Sequence, residues 1–137
     1  MSHALDIDAL RKRFATGWKA YGDKTVTVIY DNDRAGAEPP AKFISFAVRP
    51  SGEEYTNLGG ERTRIHTFGR IWMQIAIPIG TPHNQAWELA DKATSIFRRW
   101  RSSDGDLFCG DTETRVVSDT KHYIVTVNVK YEGRHFK

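Results

Sequence analysis

The chain has 137 residues and a mass of 15.6 kDa, enough for one domain that buries roughly two thirds of its unfolded surface without covalent staples. Its formal charge of +3, from 20 Lys and Arg against 17 Asp and Glu, gives no strong whole-molecule case for nucleic acid, so any such case has to be local. A single cysteine, Cys109, excludes an internal disulfide framework and a multi-cysteine metal site, and fits a reducing compartment.

The amino terminus places Asp6 and Asp8 ahead of Arg11-Lys12-Arg13 with no apolar run, so it does not read as a secretory signal. Residues from Asp6 to Tyr21 read as a first helix, with Ile7, Leu10, Phe14, Trp18 and Tyr21 on one stripe and Gly22-Asp23 ending it. Thr25 to Tyr30 is rich in β-branched residues and reads as a strand. Asp31-Asn32-Asp33 and Gly36 to Pro40 form a polar connection. A second strand, Lys42 to Val48, places Ile44, Phe46 and Val48 on one side, and Arg49-Pro50-Ser51-Gly52 through Gly59-Gly60 reads as a glycine-bearing loop.

The strand that returns from this loop is long. Arg62 to Ile77 would extend about 50 Å at ~3.3 Å per residue, beyond the common limit of roughly ten residues per strand. Either Gly69 marks a bulge or break, or the hairpin projects from the core as an arm. The alternation favours the arm, with Arg62, Arg64, His66, Phe68, Arg70 and Trp72 on one face and Thr63, Ile65, Thr67, Gly69 and Ile71 on the other. This strand opens the unit around which the chain is organised, Gly69 to Phe97. Ile71, Met73, Ile75 and Ile77 form its apolar face, Pro78 stops it, and Gly80 permits a sharp turn into Thr81-Pro82, an N-cap followed by a first-turn proline. The second helix then presents Ala86, Leu89, Ala90, Ala93, Ile96, Phe97 and Trp100 at helical spacing. Glu88 and Asp91 lie toward its amino end and Arg98, Arg99 and Arg101 at its carbonyl end.

Ser102 to Gly105 reads as a turn and Leu107 to Asp111 as irregular. Glu113 to Val117 and His122 to Tyr131 form a hairpin around Ser118-Asp119-Thr120-Lys121, with Tyr123, Val125, Val127, Val129 and Tyr131 facing the core. Glu132 to Lys137 is expected to be a polar, mobile tail. The expected fold is a single α+β domain in αβββαββ order: a mainly antiparallel sheet, two helices packed on one face, and a long projecting β-hairpin. Its longest apolar run, around Ile71 to Ile79, is far short of the ~20 residues that span a bilayer, so no membrane partner is expected.

The sequence carries no established catalytic or metal-binding motif. Asp31-x-Asp33-x-x-Gly36 begins like a calcium loop, but Ala35 and Lys42 stand where a liganding oxygen and a bidentate glutamate are required, so Asx-capped turns account for it. Asp104, Asp106 and Asp111 lie in a turn-rich segment where aspartate serves the backbone. The histidines His3, His66, His83, His122 and His135 form no HExxH pair and no zinc spacing with Cys109. Cys109, in Leu-Phe-Cys-Gly, reads as a small buried apolar group rather than a nucleophile. GxSxG, GxxxxGK[ST] and GxGxxG are all absent, so neither a catalytic residue nor a cofactor is assigned. Two basic patches carry aromatics suited to nucleic acid: Phe97-Arg98-Arg99-Trp100-Arg101, and the face bearing Arg62, Arg64, His66, Arg70 and Trp72. Helix polarity explains the first more simply. The second also suits a subunit contact, with Arg62 and Arg64 meeting Glu53 and Glu54 of a neighbour.

Taken in order, Tyr30-Asp31-Asn32, the strand bearing Gly69, Gln74 and Ile75, the turn Pro78-x-Gly80, and Leu89-Ala90-Asp91 leading to Phe97 resemble the tail terminator (tail completion) proteins of long-tailed bacteriophages and related gene-transfer particles. The resemblance runs from about Thr25 to Trp100. It departs from the commoner Pro-x-Gly-x-Gly turn in having Pro82 after Thr81. It implies a virion protein without catalytic residues, assembled in the host cytoplasm into a ring, typically a hexamer, on the head-proximal end of the tail tube. There the ring ends tube polymerisation and forms the joint to a head connector or neck protein, with DNA passing through its lumen. Arg62, Arg64, His66, Arg70, Trp72, Glu53 and Glu54 are then the candidates for the inter-subunit or tube contact. The rival readings are a head-tail joining or neck subunit of the same kind of particle, a small nucleic-acid-binding module, and a small-molecule enzyme.

Overall fold

The period-two pattern after Arg62 produces one continuous strand, and the rest of the chain is arranged on either side of it. The computed structural model describes residues 2–21, 26–30, 41–55, 64–102 and 106–136. In chain order these form α1 (Ser2–Tyr21), β1 (Thr27–Tyr30), β2 (Phe43–Tyr55), β3 (Arg64–Pro78), α2 (His83–Phe97), β4 (Leu107–Ser118) and β5 (His122–Phe136). The strands make one sheet in the order β1-β2-β3-β5-β4, with β1 parallel to β2 and the other neighbours antiparallel. This is the expected α+β arrangement in αβββαββ order.

Both helices lie on one face of the sheet. Leu10, Phe14 and Trp18 of α1 and Ala86, Ala90, Ala93 and Phe97 of α2 close over Ile44, Phe46, Ile71, Met73, Ile75, Val125 and Val127 in a single apolar core. Phe14 is its hub. Its ring centroid lies 4.6 Å from Phe46, 5.7 Å from Trp18 and 6.4 Å from Phe97, all near-parallel stacks. Burial of such a side chain contributes about 1.5–3 kcal/mol, and the stacking geometry fixes where α1 sits on the sheet.

The sheet is longer at one end than the sequence pattern implies. Arg49-Pro50-Ser51-Gly52, expected in a loop, belongs to β2, whose register against β3 shifts between Pro50 and Gly52. A bulge at that point tolerates the missing donor of proline. Gly69 neither bulges nor breaks β3; it stands opposite Pro50 on one side and Tyr131 on the other. A Cβ there would lie 2.6 Å from the Arg49 carbonyl oxygen and 2.6 Å from Tyr131 Oη, so glycine supplies the space that the buried Tyr131 ring fills. Nor is the β2–β3 hairpin a two-stranded arm over its described residues, because β5 pairs with β3 from Arg64↔Phe136 to Pro78↔His122. Glu132 to Phe136 is therefore strand, not mobile tail.

A polar clasp holds this end together. α1 begins at Ser2 rather than Asp6, and Asp6, 1% exposed, faces the sheet. Thr67 Oγ1 donates to Asp6 Oδ2 at 2.6 Å, and His135 Nε2 lies 2.8 Å from Asp6 Oδ1. His3 Nε2 sits 3.1 Å from Glu53, so the first turns of α1 are joined to β2, β3 and β5. At the opposite end, Gly80 turns the chain at φ 95°, as its position between Pro78 and α2 requires.

The helix ends depart from expectation. Pro82 itself occupies the N-cap of α2 with no side-chain cap bond, so Thr81 does not cap it. The last turn of α2 holds no basic residue; Arg98 is extended and Arg99 adopts φ 54°. The cation at the carbonyl end comes from α1 instead, where Arg13 Nε donates to the Ile96 oxygen at 2.9 Å. β4 begins at Leu107, not Glu113, with a register shift between Cys109 and Thr112. Its turn into β5 is closed by Asp119 Oδ1, which accepts from the amides of Lys121 at 2.8 Å and His122 at 2.6 Å. Those bonds lower the Asp119 pKa, so their stabilisation is complete above the ordinary aspartate range and fades as pH falls through the lowered value. The readings placed on Gly22-Asp23, Thr25, Asp31 to Pro40, Gly59-Gly60, Arg62 and Asp104 lie outside the described residues.

The close approach at Gly69 yields a test of packing. Gly69→Ala is expected to lower stability by about 1–3 kcal/mol in urea denaturation, because Tyr131 has nowhere to retreat. Tyr131→Phe is expected to change stability by less than about 1 kcal/mol, since the buried hydroxyl has no hydrogen-bond partner among the described residues.

Candidate interaction surface

The face of the sheet opposite the helices is built by register. Residues of β3 that alternate away from Ile71, Met73 and Ile75 stand beside matching residues of β2, β5 and β4, so each cross-strand row gathers positions far apart in sequence. His66 lies between Glu54 and Arg134, Phe68 between Gly52 and Glu132, and Arg70 between Arg49 and Lys130. Trp72 lies between Ala47 and Asn128, and the row continues to Glu113 of β4. No described helix covers this face.

Like charges in the row Arg49, Arg70 and Lys130 would repel one another if they stood upright. The two arginines are drawn toward the next row instead. The Arg49 guanidinium lies 5.5 Å from the Trp72 ring centroid, and Arg70 Nη1 reaches Asn128 Oδ1 at 3.3 Å and the Glu113 carboxylate at 3.9 Å. Toward the far end, His66 Nε2 lies 3.2 Å from Glu132 Oε2. Phe108 of β4 has the Arg101 guanidinium 4.8 Å and the Arg134 guanidinium 5.4 Å from its ring centroid. These contacts make a mixed face of arginine planes, aromatic rings and carboxylates, suited to another charged macromolecular surface rather than to a small ligand.

The structure brings His66, Arg70 and Trp72 onto this face together, as the alternation of β3 requires. Arg64 opens β3 in the same register; its side chain, like the whole of Arg62, lies outside the described residues. Glu53 and Glu54 separate. Glu54 pairs with His66 on the outer face, whereas Glu53 pairs with Thr67, faces α1 and is engaged by His3 within the same chain. Glu53 is therefore removed from the candidate contact. Sequence reading missed Arg49, Phe108, Glu113, Lys130 and Arg134. The alternation of Lys130, Glu132 and Arg134 with Val129, Tyr131 and Gly133 was a usable signal for part of that set, hidden by the assignment of Glu132 onward to a tail.

The basic patch from Phe97 to Arg101 also changes character. Phe97 is fully buried, Trp100 packs against the core, and Arg98, Arg99 and Arg101 are exposed. Through Arg101 and Phe108 the patch adjoins the outer face of the sheet. Between α1 and α2 is a depression of 240 Å³ lined by Arg13, Gly17, Tyr21, Ser95 and Ile96, smaller than ordinary ligand sites. Among the described residues no three His, Cys, Asp or Glu side chains are grouped to hold a metal ion, and no helix is long and apolar enough to cross a membrane. Burial pushes the Cys109 thiol up to about 12, with Arg13 pulling it back slightly.

No family model matches the sequence, and no curated protein matches it. Among the solved structures that match, one covers 95% of this chain and 96% of its own, with a TM-score of 0.66 and 16% identity. At that identity the likeness shows a shared fold over nearly the whole length of both chains and carries no activity or partner.

The state of Cys109 is directly measurable. Because the thiolate is the reactive form, Cys109 is expected to react with a disulfide reagent at neutral pH on the order of a hundredfold or more slower in the folded protein than in denaturant.

Proposed function

We propose that this chain is a tail terminator subunit of a long-tailed bacteriophage or related gene-transfer particle. It forms a ring, typically a hexamer, that caps the head-proximal end of the tail tube, ends tube polymerisation and provides the joint to the head connector. The observation that carries this reading is the unit from Gly69 to Phe97. Apart from Tyr30-Asp31-Asn32, the residues that bear the resemblance fall in one strand, turn and helix, and the strand's other side belongs to a broad sheet face that no described helix covers.

The mechanism is capping by surface complementarity. One face of the ring matches the growing end of the tube, and the other cannot accept a further tube subunit. Arg70, Trp72, His66 and Glu54, joined by Arg49, Lys130 and Arg134, form the candidate contact between subunits or between ring and tube. Aromatic and arginine side chains of this kind contribute most to association when they are desolvated at the centre of an interface. The contacts of Arg70 with Asn128 and Glu113 supply the orientation.

A second reading is favoured by one feature, the meeting of the two basic patches at Phe108. Arg101 and Arg134 flanking an aromatic ring resemble a platform for nucleic acid, which suits either a nucleic-acid-binding module or a ring subunit that touches DNA in its lumen.

Arg70→Glu is expected to change folding stability by no more than about 1 kcal/mol, because the side chain is half-exposed, while sharply reducing ring formation or tail-tube binding in electron micrographs. Loss of folding, or unaltered rings on capped tubes, counts against this surface. Deletion of the gene distinguishes overlong or unattached tails, expected of a terminator, from normal tails beside unjoined heads, expected of a neck subunit. Affinity for DNA that falls steeply with salt supports the second reading, and its absence removes it.

A further inference from the structure

β4 is the last strand of the sheet, and its far edge is open. Near its start the edge is occupied, with the Cys109 amide donating to the Trp100 oxygen at 3.0 Å. From Thr112 to Ser118 the outer edge has no backbone partner among the described residues. Every residue from Gly110 to Thr120 is exposed, including Val116 at 43% and Val117 at 48%. An open edge of this length is a template for another strand.

The charges on this edge are self-complementary. Glu113 and Arg115 pair with Asn128 and Thr126 of β5, so both point to the outer face, one on each side of Thr114. Glu113 ends the row of Ala47, Trp72 and Asn128, and its carboxylate lies 3.9 Å from Arg70 Nη1 of the neighbouring row. Arg115 has no ion-pair partner among the described residues.

We propose that the β4 edges of two copies of this chain pair antiparallel about a two-fold axis at Thr114, joining their sheets into one. Glu113 then stands opposite Arg115 of the second copy, Arg115 opposite Glu113 of the second copy, and Thr112 opposite Val116. Among axes from Glu113 to Val116, the charge pattern selects this register. Keeping inner and outer faces matched requires the axis to fall on a residue. An axis on Glu113 or on Arg115 sets that residue against its own copy, and an axis on Val116 leaves Arg115 facing Val117. Like charges directly opposite are destabilising, whereas opposite charges stabilise the pair. The pairing closes the open edge of the free protein. It does not depend on the ring proposed above, and it is measured without tails present.

The test is sedimentation of the purified full chain over a range of concentrations and salt. A reversible dimer that weakens with added salt is expected. Glu113→Arg and Arg115→Glu, made singly, each set like charges opposite one another twice and should raise the dimer dissociation constant about tenfold or more. The double variant Glu113→Arg/Arg115→Glu regains complementarity and should restore dimerisation. Circular dichroism of all three variants should remain native, because both residues are exposed. A monomer at every concentration overturns the proposal, as does a dimer indifferent to both single variants or one that the double variant fails to restore.

Discussion

The pairing of β3 on both sides along its length is the constraint on which the rest of the structure depends. With β2 on one edge and β5 on the other, its registers from Arg64 to Pro78 are fixed, and a shift by one residue would exchange Ile71, Met73 and Ile75 for Trp72, Gln74 and Ala76 in the core. Gly69 is what allows the pairing to continue unbroken. At that position the Tyr131 ring occupies space a side chain would take, and the bulge in β2 absorbs the mismatch on the other edge.

From that central strand the two sides of the sheet diverge in character. The helix side is closed by apolar stacking around Phe14 and, at its far end, by the buried Asp6 carboxylate, which accepts hydrogen bonds from Thr67 and His135. A buried carboxylate without such partners would cost several kcal/mol, so the clasp ties the start of α1 to the end of β5 and makes the two termini part of one structure. No described helix covers the other side. Its charges are arranged in cross-strand rows, with arginines leaning onto Trp72 and Phe108 rather than being neutralised by a covering layer.

This division gives the proposed capping role a physical basis. Folding free energy comes mainly from the helix side, so residues on the open face are available to recognise another surface without being needed for the core. The open edge of β4 lies at the margin of that face and carries its own complementary charges. Its use by a second copy would leave the central rows of Arg70 and Trp72 exposed.

The sequence by itself determined the element order, the apolar faces of both helices and the division of β3 into an inner and an outer face. Local spacing of apolar residues is enough for those features, because it reports which side of an element avoids water. It also placed His66, Arg70 and Trp72 together, since they share one strand. Only the tertiary structure decided which of Glu53 and Glu54 faces outward, for the bulge at Pro50 shifts their register in a way local alternation does not record. Only the tertiary structure turned the polar segment after Tyr131 into strand, because the partners that order it, Asp6 and His66, are distant in the chain. The same holds for Arg49, Lys130 and Arg134, whose neighbours are set by pairing between strands. Periodicity reports burial within an element, whereas contacts between elements depend on registers that only the folded sheet fixes.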